Sequence, residues 1–215
     1  MFENLRFFIV YLALLSGICG LISWNKLPNR KAKLIVMSIG FSVLTETIGT
    51  HFTKWTGLLN YGVYNVYILA IFSLYIVILQ MLLKKAAYKS LSLVLLFLFW
   101  LFFGINYLFL QRDFGQILTN SYVLGVLCIV VLGFLYLLEL FSSNLVLNYS
   151  KSIFFWFVLG ILIFHVPFLP FMLSLRWFLI DYSPSVYGLI LFFLNLLMNF
   201  CFIVGFLCSE KKYNY

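Results

Sequence analysis

The sequence predicts an all-α integral membrane protein of seven transmembrane helices, with its N-terminus outside and its C-terminus in the cytoplasm. Three observations carry that reading. First, 65% of the 215 residues are hydrophobic and only 9% are charged, whereas a soluble domain is nearer half apolar and a quarter charged. The mean hydropathy of +1.10 likewise excludes a disordered chain. Second, the apolar residues gather into runs long enough to cross a hydrocarbon layer, which takes about 20 residues of helix. Third, Lys and Arg fall unevenly between those runs.

The runs are 7–24, 34–52, 62–83, 90–110, 121–141, 153–173 and 187–208. Helices are required because backbone amides in lipid must find partners within their own segment. A barrel needs strands that alternate polar and apolar residues, and Leu93–Phe103 is apolar on every side. The first run has no A-x-A-like cleavage site, and Ile18 before Cys19 is too large for a lipoprotein signal, so the run is expected to be retained. The segmentation makes 1–215 a single transmembrane domain with short connections and no soluble catalytic or nucleic-acid-binding unit.

Orientation follows the positive charges. Lys26, Arg30, Lys31, Lys33, Lys84, Lys85, Lys89, Lys151, Lys211 and Lys212 make ten on one side. Arg6, Lys54, Arg112 and Arg176 make four on the other. The richer side is expected to be cytoplasmic. The net charge of +8 is explained in the same way, without nucleic acid. Trp24, Trp55, Trp156 and Trp177 near run ends fit interfacial anchors. Cys19, Cys128, Cys201 and Cys208 all lie in apolar runs without a CxxC pair, and read as packing residues.

Ionisable groups within a span are expensive and tend to face a bundle interior or cavity. The second run carries Glu46 and His51, the fifth Glu139 and the sixth His165. Glu46 lies twelve residues above Leu34 and His165 twelve above Ile153, so both sit about 18 Å from the inner end of their helix. A Glu46–His165 contact is therefore expected to be within reach. Ser38, Ser42, Glu46 and Thr50 recur every fourth residue and form one polar ridge. Beside it, Gly49 leaves room for a neighbour. Asn65, Asn106, the i, i+4 pair Asn195 and Asn199, and Tyr61, Tyr64 and Tyr67 complete a set expected to line an outward-opening cavity. Buried Asn in membrane bundles also simply joins helices by hydrogen bonds. His51 reads as interfacial, and Glu139 as reaching headgroup water or Lys151. Pro167 and Pro170 remove two amide donors from the sixth span and are expected to kink it, as a gate or as a fixed bend.

Several chemistries fall away. A retinal pigment needs a lysine in the last span, which has none. There is no GxSxG-type elbow. A zinc site from Glu46, His51 and His165 offers too few ligands to be preferred, so neither a metal nor any other cofactor is expected. General acid–base work by Glu46 and His165 is chemically open, but no acceptor substrate is indicated.

Tyr64-Asn65-Val66-Tyr67 opens the third run, Tyr136-Leu137-Leu138-Glu139-Leu140 closes the fifth, and Phe155-Trp156-Phe157-Val158-Leu159-Gly160 opens the sixth. In these features the chain resembles the small seven-helix membrane modules of Bacteroidota-type bacteria, some of which are fused to or encoded beside sensor kinases. The resemblance implies a sensing or accessory role, with output through a separate signalling partner. The reading is thus a receptor-like or accessory module that takes a small or lipidic ligand near Glu46, Asn65 and His165. Ligand binding, or protonation of His165, would shift the sixth span. The alternative is a small transporter or channel subunit with Glu46 as its proton or cation site. A membrane-embedded enzyme or a purely structural subunit follows behind.

Overall fold

The computed structural model of the chain describes residues 5–27, 29–112, 115–177 and 184–213. It is all helical, with no strand among the described residues. The helices are α1 (Leu5–Ile22), α2 (Arg30–Thr56), α3 (Tyr61–Leu82), α4 (Ala86–Ile105), α5 (Thr119–Phe141), α6 (Ile153–Trp177) and α7 (Pro184–Cys208). Six of them, α2 to α7, are long and apolar enough to cross a membrane, while the apolar stretch of α1, Phe8–Ile22, is shorter. The chain is a multi-pass membrane protein.

Capping moves several ends away from those the hydropathy suggests. The second run ends where charge begins, but α2 starts at Arg30 because the Asn29 side chain accepts a hydrogen bond from the Ala32 amide at 3.0 Å. It continues past Lys54 to Gly57, whose φ of 73° is the left-handed conformation that ends helices cheaply only at glycine. At the end of α4 the ladder widens into a π turn over Asn106–Leu110, closed by the Gln111 amide on the Asn106 carbonyl at 2.8 Å. The helix α6 is continuous through Pro167 and Pro170. The two missing amides leave the carbonyls four residues earlier, at Ile163 and Val166, without their usual donor.

Six helices close into a ring. α1 packs on α2, α2 on α3, α3 on α5, α5 on α6, α6 on α7, and α7 returns to α1. α4 stands outside, lodged chiefly against α3 and α5. Its composition explains the position, since Ser92, Phe99 and Phe103 are its buried residues while Leu93, Val94, Phe97 and Trp100 remain exposed. Those exposed groups are what a bilayer covers. The α6–α7 seam is tight: a Cβ on Gly160 would meet Phe202 at 2.8 Å and the Met198 carbonyl at 3.2 Å, so only glycine fits there.

The connections α1–α2, α3–α4 and α5–α6 and the tail after α7 carry the basic cluster. At that end Lys151 Nζ pairs with Glu210 Oε1 at 2.9 Å. Hydrogen bonding from Lys151, foremost, holds the Glu210 carboxyl below the usual carboxylate range. Lys33 lies 5.0 Å over the Trp24 ring, a cation–π contact suited to an interfacial site. Trp55 is exposed in the last turn of α2, and Trp156 donates to the Ser150 carbonyl at 2.8 Å. The Trp177 side chain lies outside the described residues.

Candidate functional site

The ring encloses a cavity of about 640 Å³ with lining residues from α1, α2, α3, α5, α6 and α7 and none from α4. It runs from Asn60 and Tyr61 of the α2–α3 turn and Ile117 before α5 to Ile71, Tyr75 and Phe202 at its inner end. The cavity thus belongs to the half of the bundle away from the basic connections. Its volume falls within the 300–1,000 Å³ typical of small-molecule sites.

On α2 the polar ridge behaves as its four-residue spacing predicts. Ser42, Glu46 and Thr50 line the cavity, while Ser38 is buried below them and donates to the Ile35 carbonyl at 2.7 Å. Ser42 Oγ shares a hydrogen bond with Tyr67 Oη at 2.9 Å. Tyr64 Oη donates to Glu46 Oε2 at 3.3 Å. Gly49 makes that approach possible, since a Cβ there would sit 2.8 Å from the Tyr64 hydroxyl oxygen and 3.0 Å from its ring. The turn is tied back on the same glycine, whose carbonyl accepts from Asn60 Nδ2 at 2.8 Å.

At the inner end His165 is set in aromatic rings. Nδ1 and the Tyr122 hydroxyl share a hydrogen bond of 2.8 Å, and the ring centroids of Phe164 and Phe72 lie 4.9 and 5.1 Å away. Glu46 and His165 therefore line one hollow without touching: among the described residues no hydrogen bond joins them. On α7, Asn195 and Asn199 both line the cavity. Asn195 Nδ2 donates to the Leu191 carbonyl at 2.8 Å and Asn199 Nδ2 to the Asn195 carbonyl at 2.9 Å. Asn199 Oδ1 accepts from the fully buried Ser16 Oγ at 2.6 Å, which locks α1 to α7.

Three expected placements need correction. Asn65 is fully buried but lies outside the cavity lining. Its Nδ2 donates to the Gln116 carbonyl and its Oδ1 accepts from the Leu118 amide, both at 2.9 Å, so it anchors the α4–α5 connection to α3. Asn106 also belongs to that connection, donating to Gln111 Oε1 at 2.9 Å and Ser121 Oγ at 2.8 Å. Glu139 does not reach Lys151. Its two oxygens accept from the Lys84 and Lys85 amides at 2.7 and 2.9 Å, placing a carboxylate at the N-terminus of α4, where the helix dipole favours it. Pro167 and Pro170 both lie inside α6, two and five residues beyond His165. His51 is exposed; its ring stacks on Trp55 at 5.4 Å and its Nδ1 donates to the Thr47 carbonyl at 3.0 Å, on a face that does not line the cavity.

Sequence reasoning passed over Tyr75, Phe72, Tyr122 and Phe168, which form much of the inner wall. A signal for Tyr75 was present. Tyr61, Tyr64, Ile68, Ile71 and Tyr75 follow one another at spacings of three and four, a single stripe of α3 that faces the cavity. Among the described residues no group of three His, Cys, Asp or Glu side chains converges as a metal site. The arrangement can bind a molecule with an apolar body and a few hydrogen-bonding groups. Comparison with family models, curated proteins and solved structures finds no match for the chain.

Proposed function

We propose that this multi-pass membrane protein is a receptor-like module that takes a small ligand into the ring cavity from the outer face of a bacterial inner membrane. The carrying observation is the cavity itself, about 640 Å³ walled by six helices, with a carboxylate on one wall and an imidazole on another. The proposed orientation, seven spans with the N-terminus outside, is supported by the basic connections at the end opposite the cavity. Ligand in the cavity presses on His165, Phe168 and Met172 of α6. The other end of α6 follows the connection that holds Lys151, and through it Glu210 of the C-terminal tail. That path carries a ligand-induced shift to a cytoplasmic signalling partner, the output implied by the resemblance to kinase-associated modules.

A thermal-shift screen of apolar small molecules on the protein in lipid nanodiscs tests the reading. Compounds are expected to stabilise the native chain and to lose that effect in Ile71→Trp, which fills the cavity from a position that is 1% exposed. If every stabilising compound acts equally on both proteins, the cavity is not the binding site.

Transport is the second reading, favoured by Glu46, a carboxylate on the wall of a membrane cavity. Proteoliposomes separate the two, because a receptor carries no flux and a proton- or cation-coupled carrier loses its flux in Glu46→Gln.

A further inference from the structure

Two polar atoms at the inner end of the cavity bond to no described residue. Tyr75 is only 3% exposed and His165 only 6%. The Tyr75 hydroxyl has no hydrogen-bond partner among the described residues, and Tyr122 engages His165 through Nδ1 alone, which leaves Nε2. Neither atom is sealed inside the protein: among the described residues, Ser209 Oγ is the one side-chain polar atom that is shut off without a partner. Both residues line the cavity, and their ring centroids are 5.9 Å apart, so the two atoms serve the same pole of it. Buried polar groups in proteins are normally satisfied, so a pair left open to a hollow marks where a guest's polar atom belongs.

The surroundings define the guest. Phe72, Phe164 and Tyr122 surround the imidazole with ring faces and edges at centroid distances of 4.9 to 5.8 Å, an environment that favours stacking against a flat ring. No charged side chain among the described residues shares this pole with His165; Glu46 bonds to Tyr64, nearer the α2–α3 turn. An imidazole and a phenol hydroxyl together both donate and accept, which suits a hydroxyl or a carbonyl oxygen. Resting on the reading of the cavity as a ligand site, we infer that its inner pole recognises a neutral, largely apolar ring compound bearing one hydroxyl or carbonyl group, held by Tyr75 Oη and His165 Nε2.

The test uses 2-naphthol and naphthalene, which differ by one hydroxyl, in equilibrium binding to the full chain in nanodiscs, with protein-free nanodiscs to subtract partition into lipid. The native chain is expected to hold 2-naphthol about threefold to tenfold more tightly than naphthalene, the range of one or two neutral hydrogen bonds. Tyr75→Phe keeps the ring and removes an oxygen that bonds to no described residue, so it should fold normally and lose most of the preference, read as the ratio of the two affinities. His165→Phe should also lose most of the preference; because it removes the hydrogen-bond partner of the Tyr122 hydroxyl, its fold is checked by thermal melting. Equal binding of the two probes by the native chain, or an undiminished preference in both variants, overturns the inference while leaving the cavity as a binding site. If neither probe binds above partition, the cavity reading fails and the inference with it.

Discussion

Replacing Asn65 with leucine separates an anchor from a ligand-binding residue. The side chain is fully buried and spans two backbone groups of the α4–α5 connection, the Gln116 carbonyl and the Leu118 amide, each at 2.9 Å. Leucine has nearly the same shape and can bond to neither. Leu118 is fully buried, so its amide is left dry and unsatisfied, whereas Gln116 is half-buried and water can take over its bond. The unsatisfied amide and the lost second bond together cost about 2–4 kcal/mol. For a chain of this size that is a fall in melting temperature of roughly 4–16 °C. A thiol-reactive dye reads the transition in a Cys19→Ser, Cys208→Ser background, because Cys128 and Cys201 are buried and react only as the bundle opens, whereas Cys19 is partly exposed and Cys208 exposed. Discrimination between 2-naphthol and naphthalene should survive below the transition, since Asn65 lies outside the cavity. A variant that melts like the native chain but loses discrimination would refute this assignment.

Ser16→Ala should destabilise the α1–α7 seam, and its coupling with Asn199→Ala in a double-mutant cycle should be about 0.6 kcal/mol and no more than about 1.7, the average and the maximum for such bonds in membranes. Gly125→Ala would set a Cβ 2.6 Å from the ring of the fully buried Phe72; overpacking of about 1–3 kcal/mol is expected, with a change in cavity binding because Phe72 is part of its wall. Glu139→Ala removes the carboxylate at the start of α4 and should lower stability by about 1 kcal/mol, with the added hydrogen exchange confined to the α3–α4 turn. Glu210 has its carboxyl held below the ordinary value of 4.5, first by hydrogen bonding from Lys151. A depressed folded value means the contribution is fully present above 4.5 and is lost as pH falls through the lower, folded value. Acid titration of the C-terminal tail should show this depression, and Lys151→Ala should return it toward the ordinary value.

The class of fold was legible because hydropathy is a sum over many residues, and every one of the seven helices overlaps its predicted run. Their ends were less so. Hydropathy follows charge, but α2 begins at an Asn cap and stops at a left-handed glycine, so it outruns its apolar run at both ends. The four-residue ridge on α2 was readable from spacing alone, since residues at i and i+4 share a face in any helix. Asn65 was not: one asparagine on an apolar helix looks the same whether it faces a hollow or a neighbouring loop, and only the path of residues 116–118 decides. The matching depths of Glu46 and His165 did place them in one hollow, but depth along an axis leaves rotation about it undetermined. Their partners proved to be tyrosines, Tyr64 and Tyr122. Tyr75 escaped notice because a tyrosine counts as apolar in a hydropathy window although it carries a hydroxyl.

That the first helix meets the last has a consequence for biogenesis. α1 enters the bilayer long before α7 is synthesised, so through that interval the Ser16 hydroxyl lacks its Asn199 partner, while the Ala13 carbonyl of its own helix stays within reach. The chamber acquires its final wall only when α7 arrives and Asn199 closes on α1. A nascent chain released before that point has no enclosed hollow, and a guest molecule can stabilise only the finished fold. Such a molecule would therefore act during maturation, by favouring chains whose last helix has docked.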